Sequence, residues 1–160
     1  MTVTDGRPAA YTTLTPFLVC SPAAAAIDFY VAVFGAAVVE RMDGPGGTVA
    51  HAELDLGAGR LQLGDPDPRY GLVAPVRDGD GDSSSTCVHV PDVDAVFAAA
   101  VAAGATVREE PATFVTGDRF CSVRDPFGHR WAIMTRVEDV PPEESERRLA
   151  EWAAQQAPAT

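Results

Sequence analysis

The stretch Ala50-His51-Ala52-Glu53-Leu54-Asp55-Leu56 alternates strictly between apolar and polar residues. On a strand this puts His51, Glu53 and Asp55 on one face and Ala50, Ala52, Leu54 and Leu56 on the other. An imidazole and a carboxylate two residues apart on one face can contribute to a divalent-ion site. Without a metal, Glu53 can serve as a general base, with His51 beside it, or bind a cationic group of a ligand. A strand that merely turns a polar face to water has the same pattern. Ser85, Cys87 and His89 share one face of a second strand, opposite Thr86, Val88 and Val90. If both faces line one cleft, His51, Glu53 and His89 form a His/His/Glu ligand set. Cys87 is a possible nucleophile, but with no electropositive neighbour evident it reads as an inert thiol. Phe120, Ser122 and Arg124 alternate on a third strand, mixing aromatic, hydroxyl and cationic groups as a pocket for an amphiphilic small molecule does.

These residues must be positioned by strands, and the strands recur. Asp125-Pro126-Phe127-Gly128 has type I turn chemistry and joins two segments rich in β-branched and aromatic residues. Earlier, Gly57-Ala58-Gly59 joins the His51 strand to Arg60-Leu61-Gln62-Leu63. Gly59 and Gly128 lie 69 positions apart, as do Phe34-Gly35-Ala36 and Ala103-Gly104-Ala105. Thr15 to Val19 matches Ser85 to His89 at an offset of 70, so one residue was gained or lost within a helix. The chain therefore reads as two copies of a βαβββ module. The repeat makes Ser122 the counterpart of Glu53, Arg124 that of Asp55, and Phe120 that of His51.

The expected order is a tail at 1–12, a single domain at 13–140, and a C-terminal helix and tail at 141–160. Within the domain, module one spans 13–64, a linker 65–84 and module two 85–140. Leu14 to Cys20 is the first expected strand. A helix capped by Ser21-Pro22 then carries an apolar stripe of Ile27, Tyr30, Val31 and Phe34 and stops at Gly35. The second helix starts at Asp92 or Asp94 and stops at Gly104. Thr106 to Glu109 reads as a strand and 111–117 as a loop able to close over a site. The linker includes Asp78-Gly79-Asp80-Gly81-Asp82 followed by serines. It lacks the closing Glu and flanking helices of a calcium loop, so it reads as a solvated segment. Prolines and acids followed by Arg147 and Arg148 predict the last helix, with Leu149 and Trp152 as its apolar contact.

The composition excludes several classes. With 160 residues and 46% hydrophobic content, the chain is long enough for a real core. No apolar run reaches membrane-spanning length. No signal peptide is evident, and three cysteines without Cys-x-x-Cys spacing suit a reducing cytoplasm. A net charge of −11 with no basic cluster argues against nucleic acid as a partner. Phosphate-loop, dinucleotide and nucleophile-elbow motifs are all missing.

Several segments together resemble the vicinal oxygen chelate superfamily of glyoxalases, bleomycin-resistance proteins and extradiol dioxygenases, and its PhnB-like branch in particular. They are Thr15-Pro16-Phe17-Leu18, Ala26-Ile27-Asp28-Phe29-Tyr30, His51-Ala52-Glu53-Leu54 and Gly117-Asp118-Arg119, with Asp125 through Trp131. The resemblance implies an α+β fold in which two βαβββ modules form a curled eight-stranded mixed sheet around a cleft. It also implies a homodimer and a small-molecule ligand. In metal-using members the cleft holds a divalent ion on side chains from four strands. Carried over, those positions fall on Thr15, Ser85 and Ala132, leaving only Glu53 as a ligand type. No cofactor is therefore expected, and a divalent metal would require the new set His51, Glu53 and His89. The candidate ligand-binding residues are Phe17, Asp55, Cys87, His89, Phe120, Ser122, Arg124 and Arg130, with His51 and Glu53 as the catalytic candidates. The resulting expectation is a metal-free binder, related in use to drug-sequestering proteins. The alternatives are a metal-dependent lyase, isomerase or oxygenase, and a non-catalytic dimerisation module.

Overall fold

A computed structural model describes residues 6, 8, 11–77 and 81–156. Its eight strands divide into two four-stranded mixed sheets, one per module. Module one contains β1 (Phe17–Val19), α1 (Ala23–Phe34), β2 (Ala37–Asp43), β3 (Val49–Asp55) and β4 (Arg60–Gly64). Module two contains β5 (Ser85–His89), α2 (Val93–Ala102), β6 (Thr106–Thr113), β7 (Asp118–Arg124) and β8 (Arg130–Arg136). The last element is α3 (Pro142–Gln156). The sheet orders are β1-β4-β3-β2 and β5-β8-β7-β6. In each, the first strand runs parallel to the fourth and the other pairs are antiparallel. This is the α+β, two-module architecture expected from the repeat.

The register shows how closely the halves match. Phe17 pairs with Gln62 and Cys87 with Ala132, an offset of 70 in both strands. Glu53 pairs with Gln62 and Ser122 with Ala132, so β3 and β7 differ by 69. The extra residue of the Asp125–His129 turn restores the offset of 70. The helix ends correspond as well. Gly35 caps α1 in the left-handed conformation at φ 66°, and Gly104 follows α2 at φ 95°.

The helix starts differ from expectation. Ser21 does not cap α1: the N-cap residue is Pro22, which offers no side-chain acceptor. The acceptor comes from the end of β4, where Asp65 Oδ1 takes the Ala23 N–H at 3.1 Å and Oδ2 takes the Val49 N–H at 2.8 Å. The counterpart, Thr135 Oγ1, accepts from Val93 N at 2.8 Å, while Asp92 caps α2 through Ala95 N at 3.0 Å. Each such cap stabilises by about 1 kcal/mol. The buried arc of α1 is also wider than the expected stripe. Val31 is exposed, whereas Ala26, Ile27, Phe29, Tyr30 and Val33 are buried. The reason is that α1 packs on two bodies, its own sheet and module two.

The contact between modules centres on Asp125. Its buried carboxylate accepts from Tyr30 Oη at 2.7 Å, Trp131 Nε1 at 2.9 Å, and the Phe127 and His129 N–H groups at 2.9 Å each. Phe29 meets Phe127 edge-on, and Phe34 lies 4.7 Å from Trp131. His129 has a structural role, with Nε2 3.0 Å from the Val19 carbonyl oxygen.

Two further expectations are corrected. β1 is shorter than Leu14–Cys20, and Leu14 is exposed; Pro16 has no N–H to extend the ladder. The expected loop at 111–117 begins as strand, because β6 runs on to Thr113 through a register irregularity between Glu109 and Ala112. An edge strand tolerates Pro111 at such a bulge. α3 meets module two through Trp152, edge-on to Phe114 at 5.2 Å, and Arg148, paired with Glu138 at 2.9 Å, while Leu149 is exposed.

Candidate functional site

Each sheet buries one face against the helices and turns the other away. In module one the buried face is Ala52, Leu54, Leu61 and Leu63. Alternation then places Phe17, His51, Glu53, Asp55, Arg60 and Gln62 on the opposite, outer face, with Gln62 between Phe17 and Glu53 in register. Glu53 is nevertheless only 4% exposed. The Tyr11 hydroxyl donates to its Oε2. Arg60 lies 3.6 Å from Glu53 Oε1 and 3.0 Å from Asp55 Oδ2. Tyr11 belongs to the stretch expected to be a tail. The His51 ring rests 6.0 Å from Phe17.

In module two the buried face is Cys121, Val123, Trp131 and Ile133. Its outer face carries Cys87, Phe120, Ser122, Arg124, Arg130, Ala132 and Met134 in register. Ser122 is fully buried and accepts from Arg130 Nε at 2.9 Å; Arg130 also donates to Glu109 at 2.8 Å. Arg124 donates through Nε to Asp82 at 2.7 Å, and to the Arg77 and Gly81 carbonyls at 3.3 and 3.1 Å. The linker is thus anchored here. Asp82 is enclosed among arginines, which corrects its reading as part of a solvated loop. Asp78, Gly79 and Asp80 lie outside the described residues.

The thiols are not poised for attack. Burial pushes Cys20 up to about 12 and Cys121 up to about 11. Cys87 is raised by burial and then by the charge of Asp118. Its Sγ lies 3.9 Å from Met134 Sδ.

The predicted residues therefore gather in two groups, one per sheet. Phe17, His51, Glu53 and Asp55 form the first, and Cys87, Phe120, Ser122, Arg124 and Arg130 the second. His89 is exposed at the end of β5. Among the described residues no three His, Cys, Asp or Glu side chains cluster as metal ligands, so His51, Glu53 and His89 do not meet. A cavity of about 410 Å³ lies between the start of module one and β5, lined by Leu14, Pro16, Leu56, Arg60, Cys87 and His89 among others. A more polar cavity of about 190 Å³ lies beside Asp82, His129 and Arg130. Sequence reasoning missed Tyr11, Arg60, Gln62 and Asp82. Arg60 and Gln62 were accessible through the repeat, as counterparts of Arg130 and Ala132. Tyr11 and Asp82 carried no such signal, because each sits in a segment without strand or helix pattern.

This arrangement agrees with comparisons to known proteins. The Glyoxalase/Bleomycin resistance protein/Dioxygenase superfamily profile matches residues 11–133. The chain belongs to this superfamily. An uncharacterized protein of Mycobacterium bovis is 39% identical over 130 residues, covering 79% of this chain and 85% of that protein. The crystal structure of TioX from Micromonospora sp. ML1 superposes with a TM-score of 0.61 at 28% identity, covering 78% of this chain and 98% of TioX. A PhnB protein from Bacillus cereus shares the fold, with a TM-score of 0.59 at 20% identity, over 78% of this chain and 99% of that one. No helix among the described residues is long and apolar enough to cross a membrane.

Proposed function

We propose that this superfamily member binds a small organic molecule without a divalent ion, and that two copies pair to enclose it. The observation carrying this reading is the state of the ligand positions. By the resemblance, Thr15, Ser85 and Ala132 fall where metal-using members supply donors, and a methyl, Ala132, cannot coordinate. The remaining carboxylate, Glu53, already interacts with Tyr11 and Arg60. One carboxylate, already engaged, with one imidazole falls short of the three or more protein ligands a stable site normally needs. The donor set does not fit a divalent ion.

Several features support binding. The outer faces offer aromatic walls at Phe17 and Phe120, an imidazole, a serine hydroxyl and paired charges, a mixture that orients an amphiphilic ligand. Both faces look away from the helix layer, so one chain supplies two half-walls. Exposed Val38 and Met42 on β2, and Val107 on β6, give the sheet edges apolar surface that a second copy would cover.

Native mass spectrometry of protein purified without chelator tests this reading. The expected species is a dimer without stoichiometric metal, whose mass rises when a bound organic ligand is added. A metal present at one ion per chain would favour the second reading, a lyase, isomerase or oxygenase using His51 and Glu53.

A further inference from the structure

We infer that the outer face of module two is a seat for a small oxyanion, a carboxylate or a phosphate, and that the linker's Asp82 occupies it as a built-in stand-in. This concerns a different cluster from Glu53 and holds whether or not the chain is an enzyme.

Three of the chain's cationic side chains converge on one carboxylate. Arg124 approaches Asp82 Oδ1 with Nε at 2.7 Å and Nη2 at 2.6 Å. Arg108 reaches Oδ2 at 3.4 Å, and Arg130 stands 3.9 Å from Oδ2. Both partners of the closest pair are removed from water, with side-chain exposures of 8% for Arg124 and 7% for Asp82. Arg130 also pairs with Glu109, at 2.8 Å.

Guanidinium forks bind carboxylate and phosphate oxygens in the same way, through parallel charge-assisted N–H bonds. What holds Asp82 in place is chain connection rather than sheet structure. It lies in Gly81-Asp82-Ser83-Ser84, outside any strand or helix. The polar cavity of about 190 Å³ beside it is lined by the same Gly81, Ser83 and Ser84, with His129 and Arg130. An anion that displaces the aspartate therefore has adjoining space and hydroxyl donors. Module one offers no such seat, since the counterpart of Arg124 is Asp55.

The test is calorimetric titration of the full chain with inorganic phosphate, and separately with succinate, at constant ionic strength. Asp82→Asn should bind one of them at least about tenfold more tightly than wild type, because the competing carboxylate is gone while the fork remains. Adding Arg124→Met to that variant should remove the binding. Phosphate alone or succinate alone binding identifies which oxyanion the seat takes. A folded Asp82→Asn protein that binds neither overturns the inference. If that variant does not fold, the wild-type Arg124 Nε–H resonance decides instead. A saturable shift with millimolar phosphate or succinate upholds the seat, and an unmoved resonance overturns it.

Discussion

The outer faces of the two modules share one scaffold and carry opposite chemistry. Glu53 corresponds to Ser122, Asp55 to Arg124 and Gln62 to Ala132, while Arg60 and Arg130 are the same residue at the same register position. In both halves the segment before the first strand reaches onto the face that follows. Tyr11 reaches the acidic face of module one and Asp82 the basic face of module two. Duplication preserved the backbone and both arginines, while substitution at a few strand positions changed what each face can bind. Fold and site thus rest on different residues. The buried faces must match the helices in volume, whereas the outer faces need only remain satisfied in charge and hydrogen bonding.

The sharpest break between the halves is Asp125, whose module-one counterpart is Leu56. Asp125→Ala leaves the Tyr30 hydroxyl, the Trp131 N–H and two backbone N–H groups without their acceptor. Urea unfolding should show a loss of about 3–5 kcal/mol. Asp55→Asn, in the more open ion pair of module one, should cost less than about 1 kcal/mol. Equal losses would mean that the modules are held together elsewhere.

Arg124→Met comes next. It strands the enclosed Asp82 carboxylate and should cost about 2–4 kcal/mol, less if the linker lifts off into water. Hydrogen exchange at 81–84 distinguishes the two outcomes, since lifting accelerates exchange there and nowhere in module one.

The contact between modules also predicts alkaline sensitivity. Burial, followed by the charge of Asp125, raises the Tyr30 hydroxyl well above its ordinary 10.0, and burial raises the Cys20 thiol from 9.0 to about 12. Both groups are held in their protonated forms in the folded state. Their stabilisation is full below the unfolded-state values and falls as pH rises above them through the folded-state values. Tm should therefore decline above about pH 9, and Cys20→Ala should remove the part of that decline that begins first. An equally steep decline in a Cys20→Ala, Tyr30→Phe double variant would place its origin outside this contact.

The smallest effect concerns α3, which packs on Phe114 and pairs with Glu138. Arg147 and Arg148 hold Glu144 down at about 2 rather than 4.5. The stabilisation from this group is present above its unfolded-state value and is lost as pH falls through the folded-state value. Trp152 fluorescence should report a slight weakening of the α3 contact with Phe114 over that acidic range, because an exposed ion pair contributes little, and Glu144→Gln should remove that pH dependence.

Much of the fold was legible in the sequence because its signals are local and repeated. Strand alternation, the glycine stops at Gly35 and Gly104 and the Asp125–Gly128 turn each specify backbone shape over a few residues. Alternation also placed Glu53, Ser122 and Arg124 on the correct faces. It could not show what covers them. Asp65 as the acceptor at the start of α1, Tyr11 on Glu53 and Asp82 on Arg124 are contacts 42 residues apart in sequence. Each comes from a segment with no periodic pattern, so only the folded chain brings the partners together. β1 was overextended because an apolar run signals a strand, even where Pro16 has no N–H to give.

The metal question bears most directly on the proposed function. Elemental analysis of the chain purified without chelator, followed by calorimetric titration with Zn²⁺, Ni²⁺ and Mn²⁺, answers it. The expected result is far less than one ion per chain and no saturable uptake by wild type or Glu53→Gln. One tightly held ion per chain, lost in Glu53→Gln, would contradict a metal-free binding role.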